Sequence, residues 1–300
     1  MKKTILSTAD VARLFSVTET TVKRWADEKV LSCRKTPGGH RKFQVKDVVE
    51  FSTRHHLEPT GALELGPADS LAPQTQAATL ERDFGALAEV FLRRALAPGM
   101  PDLGRFLSYL YQHHIRLWEI CDLVVRPAMR TIGEMWARGE IGVSHEHRAS
   151  YQTMDALAGI RTEAAAKPPN GRSVLCACLD EETHEIGLRC AAALFESEGW
   201  QVQYLGARTP PEAVLTALRE LRPDVVCVSV TVPSDPKGLT EALRAVRSGA
   251  RAQGAALIGG GQEFEDGKTG EELCDRVFPS ARSLLDYIIA FGEERVGAPS

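Results

Sequence analysis

The chain reads as a multi-domain protein with three folded pieces in series. These are a winged helix-turn-helix, a helical bundle of about four helices, and an α/β domain with a doubly wound parallel sheet. Three observations point there. Two helical patterns separated by a tight turn open the sequence and lead into a basic, glycine-containing hairpin. From Ala77 to about Ala166 apolar residues recur at helical spacing, as in LERDFGALAEVFLRRAL and GRFLSYLYQHHIRLWEI. After a turn at Lys167 to Gly171, short apolar runs (SVLCACL, VQYLGA, VVCVSV, AALIGG and RVF) alternate with helical stretches, as the buried strands of a parallel sheet do.

The first unit spans residues 1–56. Ser7 is placed to cap a short helix ADVARLF, and Thr18 to cap a second, TETTVKRWADEKV. In a helix-turn-helix the front of the second helix enters the major groove, which turns Glu19, Thr20, Lys23 and Arg24 to DNA and packs Val22 and Trp25 inward. The following CRKTPGGHRKF forms a wing, with Pro37, Gly38 and Gly39 at its tip and Arg34, Lys35, His40, Arg41 and Lys42 on its arms, suited to gripping phosphates. A helix from Val45 to His55 completes the unit.

Charge agrees with this division. Residues 1–56 hold twelve of the 36 Lys and Arg and six of the 40 Asp and Glu, so about +6 of formal charge sits there and about −10 on the remainder. Only the N-terminal piece is built for phosphate. This segment, VARLFSVTETTVKRWADEKVL followed by PGGHRKF, resembles the MerR family of DNA-binding domains. The competing reading is a small helical protein-interaction domain with a solvated basic face.

Residues 57–76 have scattered Pro, Gly and Ala without apolar periodicity and read as a linker, before a bundle at 77–168. The start MKKTILSTAD lacks a signal-peptide apolar run and no stretch has membrane-spanning length, so the expectation is a cytoplasmic protein without a membrane partner. Of seven cysteines, the closest pair, Cys176 and Cys178, lies in a strand-like run and reads as two small core residues rather than a metal site.

The α/β domain occupies residues 169–300. Open α/β sheets bind ligands outside the carboxyl ends of their strands, where the loop after the first strand presents Glu182, Thr183, His184 and Gly187. A His there can ligate a metal through one ring nitrogen while an acidic neighbour holds the other. The loops after the third and fourth strands add Ser229 and Thr231 as hydroxyls, and Gly259, Gly260 and Gly261 as positions without side chains. No G-x-G-x-x-G follows the first strand, which counts against a nucleotide-binding alternative.

Glu182-Thr183-His184-Glu185-Ile186-Gly187, Ser229-Val230-Thr231 and Gly259-Gly260 together resemble the flavodoxin-like cobalamin-binding domain of corrinoid methyltransferases, mutases and regulators. The resemblance implies that His184 is the lower axial ligand of cobalt, oriented by Glu182. It also implies that the displaced dimethylbenzimidazole tail enters beside Ser229, with the glycines making room. Thr231 stands where many members have Leu.

In the bundle, Trp136 is followed after nine residues by Glu146 and His147, which resembles the helical cap of CarH-type and CarA-type photoreceptor repressors. By that likeness Trp136 covers the upper face of adenosylcobalamin, while Glu146 and His147 contact its adenosyl group. Members of that family usually carry a His just after the Trp, as upper cobalt ligand once light has removed the adenosyl group. Here that position is Ala137, and His145, His113 and His114 are the nearby histidines.

The resemblances imply a non-enzymatic, light-responsive repressor, binding double-stranded promoter DNA and adenosylcobalamin as a homo-oligomer, dimer or tetramer. Two alternatives stand beside it. One is a light-independent cobalamin sensor or cofactor-independent regulator. The other is a corrinoid carrier subunit of a methyltransferase, which has no use for the basic N-terminal domain.

Overall fold

The computed structural model describes residues 5–15, 17–36, 39, 41–55, 72–97, 103–163, 167–179, 181–233, 235–265 and 272–293. It separates into two compact units, Met1–Ile115 and Arg116–Ser300.

In the first unit, helices α1 (Thr8–Leu14), α2 (Glu19–Asp27) and α3 (Val45–His55) surround a small antiparallel sheet. Its strands β1 (Ile5–Ser7), β2 (Arg34–Lys35) and β3 (Arg41–Gln44) lie in the order β1-β3-β2. The Thr18 side chain accepts the Thr21 N–H at 3.2 Å, so α2 starts at the expected cap. Val11, Phe15, Val22, Leu31, Phe43, Val48 and Phe51 form the core, and Trp25 packs on Phe51 with ring centroids 4.9 Å apart. Strand β1 was not expected, because three residues are too few to show an alternating period.

The stretch read as a linker is corrected at its end. Helix α4 (Ala72–Glu81) begins inside it, with Pro73 in the first turn, where a missing N–H costs little. Residues 57–71, the rest of the expected linker, lie outside the described residues. Ala77 and Leu80 of α4 pack on the helix-turn-helix core, and Thr75, Ala78 and Thr79 are buried. Helices α5 (Phe84–Leu96) and α6 (Leu103–Gln112) follow.

The second unit opens with a continuous helical run made of α7 (Leu117–Glu119), a π-helical turn (Ile120–Val125) and α8 (Arg126–Ala137), followed by α9 (Val143–Glu163). The division between the units thus falls inside the stretch expected as one bundle. Apolar periodicity shows that a helix has a face to bury, not which neighbour buries it.

Strands β4 (Ser173–Leu179), β5 (Gln201–Thr209), β6 (Val225–Ser229), β7 (Ala256–Gly260) and β8 (Arg276–Phe278) form a parallel sheet in the order β5-β4-β6-β7-β8. The intervening helices are α10 (Ile186–Ser197), α11 (Pro211–Leu221), α12 (Pro236–Ala252) and α13 (Gln262–Glu265), with α14 (Ala281–Glu293) last. Leu175, Ala177, Val226, Val228 and Leu257 pack with α11 and α12 on one face. Strand alternation sends Cys176, Cys178, Cys227, Ser229 and Ile258 to the other face, toward α10. Cys176 and Cys178 are fully buried there, as core residues. The chain leaves β4 for β5 on one side and returns to β6 on the other, so the switch point lies between the carboxyl ends of β4 and β6.

Candidate functional site

The loop between β4 and α10 enters this switch point and is held by Glu182, which is buried. Its Oε1 accepts the backbone N–H of His184 at 2.8 Å and the imidazole Nδ1 at 2.6 Å. Its Oε2 accepts the N–H of Thr231 at 2.6 Å and of Val232 at 3.2 Å. Four donors on one carboxylate outweigh the cost of its burial. Burial raises its pKa, but the bonds from His184 and Thr231 bring it below the ordinary carboxylate value.

Because Nδ1 donates to Glu182, the neutral ring keeps its lone pair on Nε2. The His184 side chain is 54% exposed at the strand end, so this lone pair is available to a ligand. The Glu182 hydrogen bond raises the His184 pKa against the effect of burial, and the charges of Glu182 and then Glu146 add to it. Thr231 serves through its backbone N–H, where sequence reasoning had proposed its hydroxyl. Thr183 is exposed beside the loop.

The glycines divide by strand alternation. A Cβ on Gly187 would meet the hydroxyl of the buried Ser229 at 3.0 Å, so the helix start can approach the sheet this closely only with glycine there. Gly260 pairs with Ser229 across the ladder and shares its face, where a Cβ would meet the Phe278 carbonyl oxygen at 3.3 Å. Gly259 points the other way, and the place of its missing Cβ is 2.8 Å from Phe264 Cζ and 2.9 Å from Cys274 Sγ. That space is already filled by the protein's own core, which corrects the expectation that Gly259 makes room for a ligand. Gly261, at φ +107°, serves a backbone crossing, with its Cβ position 2.2 Å from the Val230 carbonyl oxygen. Gly187, Ser229 and Gly260 therefore gather on one face of the sheet, at the carboxyl edge that carries His184.

Glu146, in the first turn of α9, accepts the Ser150 hydroxyl at 2.7 Å and lies 3.6 Å from His147 Nε2. Its charge adds a small part of the upward shift of the His184 pKa. His147 is exposed and Trp136, in the last turn of α8, is 50% exposed. Ala137 and His145 are also exposed.

On the opposite face from Ser229, a cleft of about 550 Å³ opens among Leu179, Val230, Leu239, Glu181, Glu212, Asp235 and Glu241. Sequence reasoning missed it, and also missed Glu185, whose carboxylate accepts the Tyr204 hydroxyl at 2.8 Å and pins the start of α10 to the edge strand β5. The Arg189 guanidinium stacks 4.1 Å over the Tyr204 ring. Nothing local in the sequence joins residues nineteen positions apart.

In the first unit Thr20, Lys23 and Arg24 are exposed on α2, with Lys23 3.7 Å from Glu19. Arg34 pairs with Lys42 and Lys35 with Arg41 across the two arms of the wing. Arg34 and Lys35 are exposed and Lys42 half-buried. Arg41 differs, because its Nη2 lies 2.6 Å from Asp27 Oδ1 and so ties the wing to the end of α2. Pro37, Gly38 and His40 lie outside the described residues, while Gly39 (φ +77°) donates to the Thr36 carbonyl at 2.9 Å and closes the tip.

The helix-turn-helix domain model matches residues 5–56, and B12 binding domain models match residues 102–159 and 172–286. The chain therefore carries a helix-turn-helix domain followed by B12 binding domains. The chain is 27% identical over 260 residues to the HTH-type transcriptional repressor CarH of Myxococcus xanthus, covering 83% of this chain and 86% of that one. It is 33% identical over 129 residues to the HTH-type transcriptional repressor CarA of the same organism, covering 42% of this chain and 43% of the relative. The Methanosarcina barkeri monomethylamine corrinoid protein superposes with a TM-score of 0.53 at 12% identity, over 68% of this chain and 96% of that one, a likeness of fold. Among the described residues no helix is long and apolar enough to cross a membrane.

Proposed function

We propose that the protein is a transcriptional repressor whose grip on promoter DNA depends on adenosylcobalamin bound between α8–α9 and the carboxyl edge of the parallel sheet, and that it responds to light. The observation that carries this reading is the Glu182–His184 pair, which leaves Nε2 outward at the switch point. His184 would hold cobalt from below, Glu182 fixes its tautomer, and Gly187, Ser229 and Gly260 take the nucleotide tail. Trp136 would shield the upper face and Glu146 and His147 would bind the adenosine. The cofactor supplies a cobalt–carbon bond that light can break.

DNA contact belongs to Thr20, Lys23, Arg24, Arg34, Lys35, His40 and Lys42. A dimer or tetramer engaging several half-sites gains affinity by avidity and loses it on dissociation, which is how a cofactor site distant from DNA controls binding. The likeness to repressors over most of the chain supports this role over that of a corrinoid carrier.

Ala137 favours a second reading, a chemical sensor of cobalamin without a light response, since it has no ligand atom where the photoreceptor family has a histidine. The deciding experiment records absorption spectra of the protein with adenosylcobalamin before and after green light, with size-exclusion chromatography and operator binding on the same samples. A spectral change accompanied by changes in size and DNA affinity supports the photoreceptor. Cofactor-dependent DNA binding indifferent to light supports the sensor, and absence of cobalamin binding sinks both.

A further inference from the structure

The π-helical turn ahead of α8 is joined to the last helix of the chain by a side chain that the cofactor reading does not use. Asp122 Oδ1 accepts the N–H of Ala281 at 2.8 Å and Oδ2 accepts the N–H of Arg282 at 2.9 Å. These are the first two residues of α14, whose opening N–H groups have no partner inside the helix. The next N–H, of Ser283, is taken by the Ser280 hydroxyl at 3.1 Å. A carboxylate 159 positions away in sequence thus completes the cap of α14.

Neighbours reinforce the joint. Arg126 Nη1 donates to the Pro279 carbonyl at 2.7 Å, and the Arg282 guanidinium lies 5.1 Å over the Trp118 ring. The Asp122 side chain is only 12% exposed. The π turn inserts an extra residue into the helical register, which lets Asp122 face α14 while Ile120, Cys121, Val124 and Val125 stay buried.

Beyond this joint α8 is held in its middle. Ala128 and Ile132 are buried, and the Thr153 hydroxyl of α9 contacts Met129 Sδ at 3.3 Å. Its last turn, with Glu134, Trp136 and Ala137 exposed, projects past that support. The indole stands about 21 Å along the helix from Asp122, at about 1.5 Å per residue, so a tilt of about 5° at the joint displaces it by roughly 2 Å.

We infer that Asp122 is a positioning residue for the cofactor cap: by bolting the π turn to α14, it fixes where α8 holds Trp136 over the crevice. This rests on the reading of Trp136 as the cover of the cofactor's upper face. Asp122 touches no part of the crevice and acts through the helix it anchors.

The test uses the full chain with Asp122→Ala, Asp122→Asn and Trp136→Ala, singly and combined, titrated with adenosylcobalamin and with hydroxocobalamin, whose upper ligand is small. Asp122→Ala is expected to weaken adenosylcobalamin about tenfold while changing hydroxocobalamin less than about twofold, and to add nothing in a Trp136→Ala background. Asp122→Asn, which keeps one acceptor oxygen, gives a smaller loss and covers the case in which the alanine variant folds poorly. Amide exchange of the cofactor-free Asp122→Ala protein should rise over residues 126–137 and stay unchanged in β4 and β6. Equal losses for both cobalamins, additive losses with Trp136→Ala, or unchanged exchange in α8 overturn the assignment. Wild-type protein that binds neither probe instead overturns the cofactor reading, and the role of Asp122 with it.

Discussion

Glu182 accepts the backbone N–H of Thr231 at 2.6 Å, so a buried carboxylate ties the loop after β4 to the loop after β6 across the switch point. The same side chain holds His184 through its other oxygen. Positioning of the candidate ligand and closure of the two loops are therefore one interaction, and they should fail together.

Glu182→Ala leaves four donors without their acceptor. We expect a loss of about 2–4 kcal/mol in stability, read by urea unfolding, because unmet buried donors cost more than the bonds contributed. Cobalamin affinity should fall about 10–100-fold as the imidazole loses its fixed tautomer. Unchanged affinity in a folded variant would remove Glu182 from the ligand's support.

The two adjacent glycines of β7 should separate stability from binding. Gly259→Ala forces a methyl group against Phe264 and Cys274 and should cost about 1–3 kcal/mol by overpacking. Gly260→Ala, on the face of Ser229, should instead weaken cobalamin binding with a smaller effect on unfolding. Melting curves and cofactor titrations of both variants check this, and a reversed pattern would put the proposed cofactor site on the other face.

At the amino end of β7, Asp275 accepts the Leu257 N–H at 2.9 Å and ion-pairs with Arg247 and Arg251. Burial alone would raise its pKa, but the Leu257 N–H and then the two guanidinium groups lower it overall. The folded carboxyl therefore titrates below its unfolded value, near 3.8. Its contribution is present above that value and lost as pH falls through the folded pKa. Asp275→Asn should cost about 1–2 kcal/mol at neutral pH, and the gap should begin to narrow only as pH falls below 3.8, measured by denaturant unfolding across pH.

The wing makes a salt-dependence test. Arg34→Ala or Lys42→Ala should each lower the slope of log K against log salt by about 1, as a phosphate contact is removed. Asp27→Asn should release Arg41 from its ion pair and steepen that slope. A slope unaffected by Asp27→Asn would mean that Arg41 stays committed to the wing's own structure.

Much of this molecule is legible in its sequence, for local reasons. Thr18 caps α2 because a short hydroxyl side chain reaches the N–H three residues on, and Val45–His55 forms a helix because its apolar residues recur at helical spacing. His184 could be placed at a ligand edge because strand ends and the loops that follow them are read within a few residues. The division of the helical region and the start of α4 were less legible, since periodicity names a buried face without naming its partner.

By itself the sequence determined the order of the elements, which residues stand at the strand ends, and the positive charge that sets residues 1–56 apart from the rest. Only the tertiary structure decided that Gly260 shares the face of Ser229 while Gly259 packs against Phe264 and Cys274, that Arg41 is turned back onto Asp27, and that Asp122 caps a helix 159 positions away. Periodicity and capping act between residues a few positions apart. A polar side chain finds its partner through packing, which brings together groups that no local pattern connects.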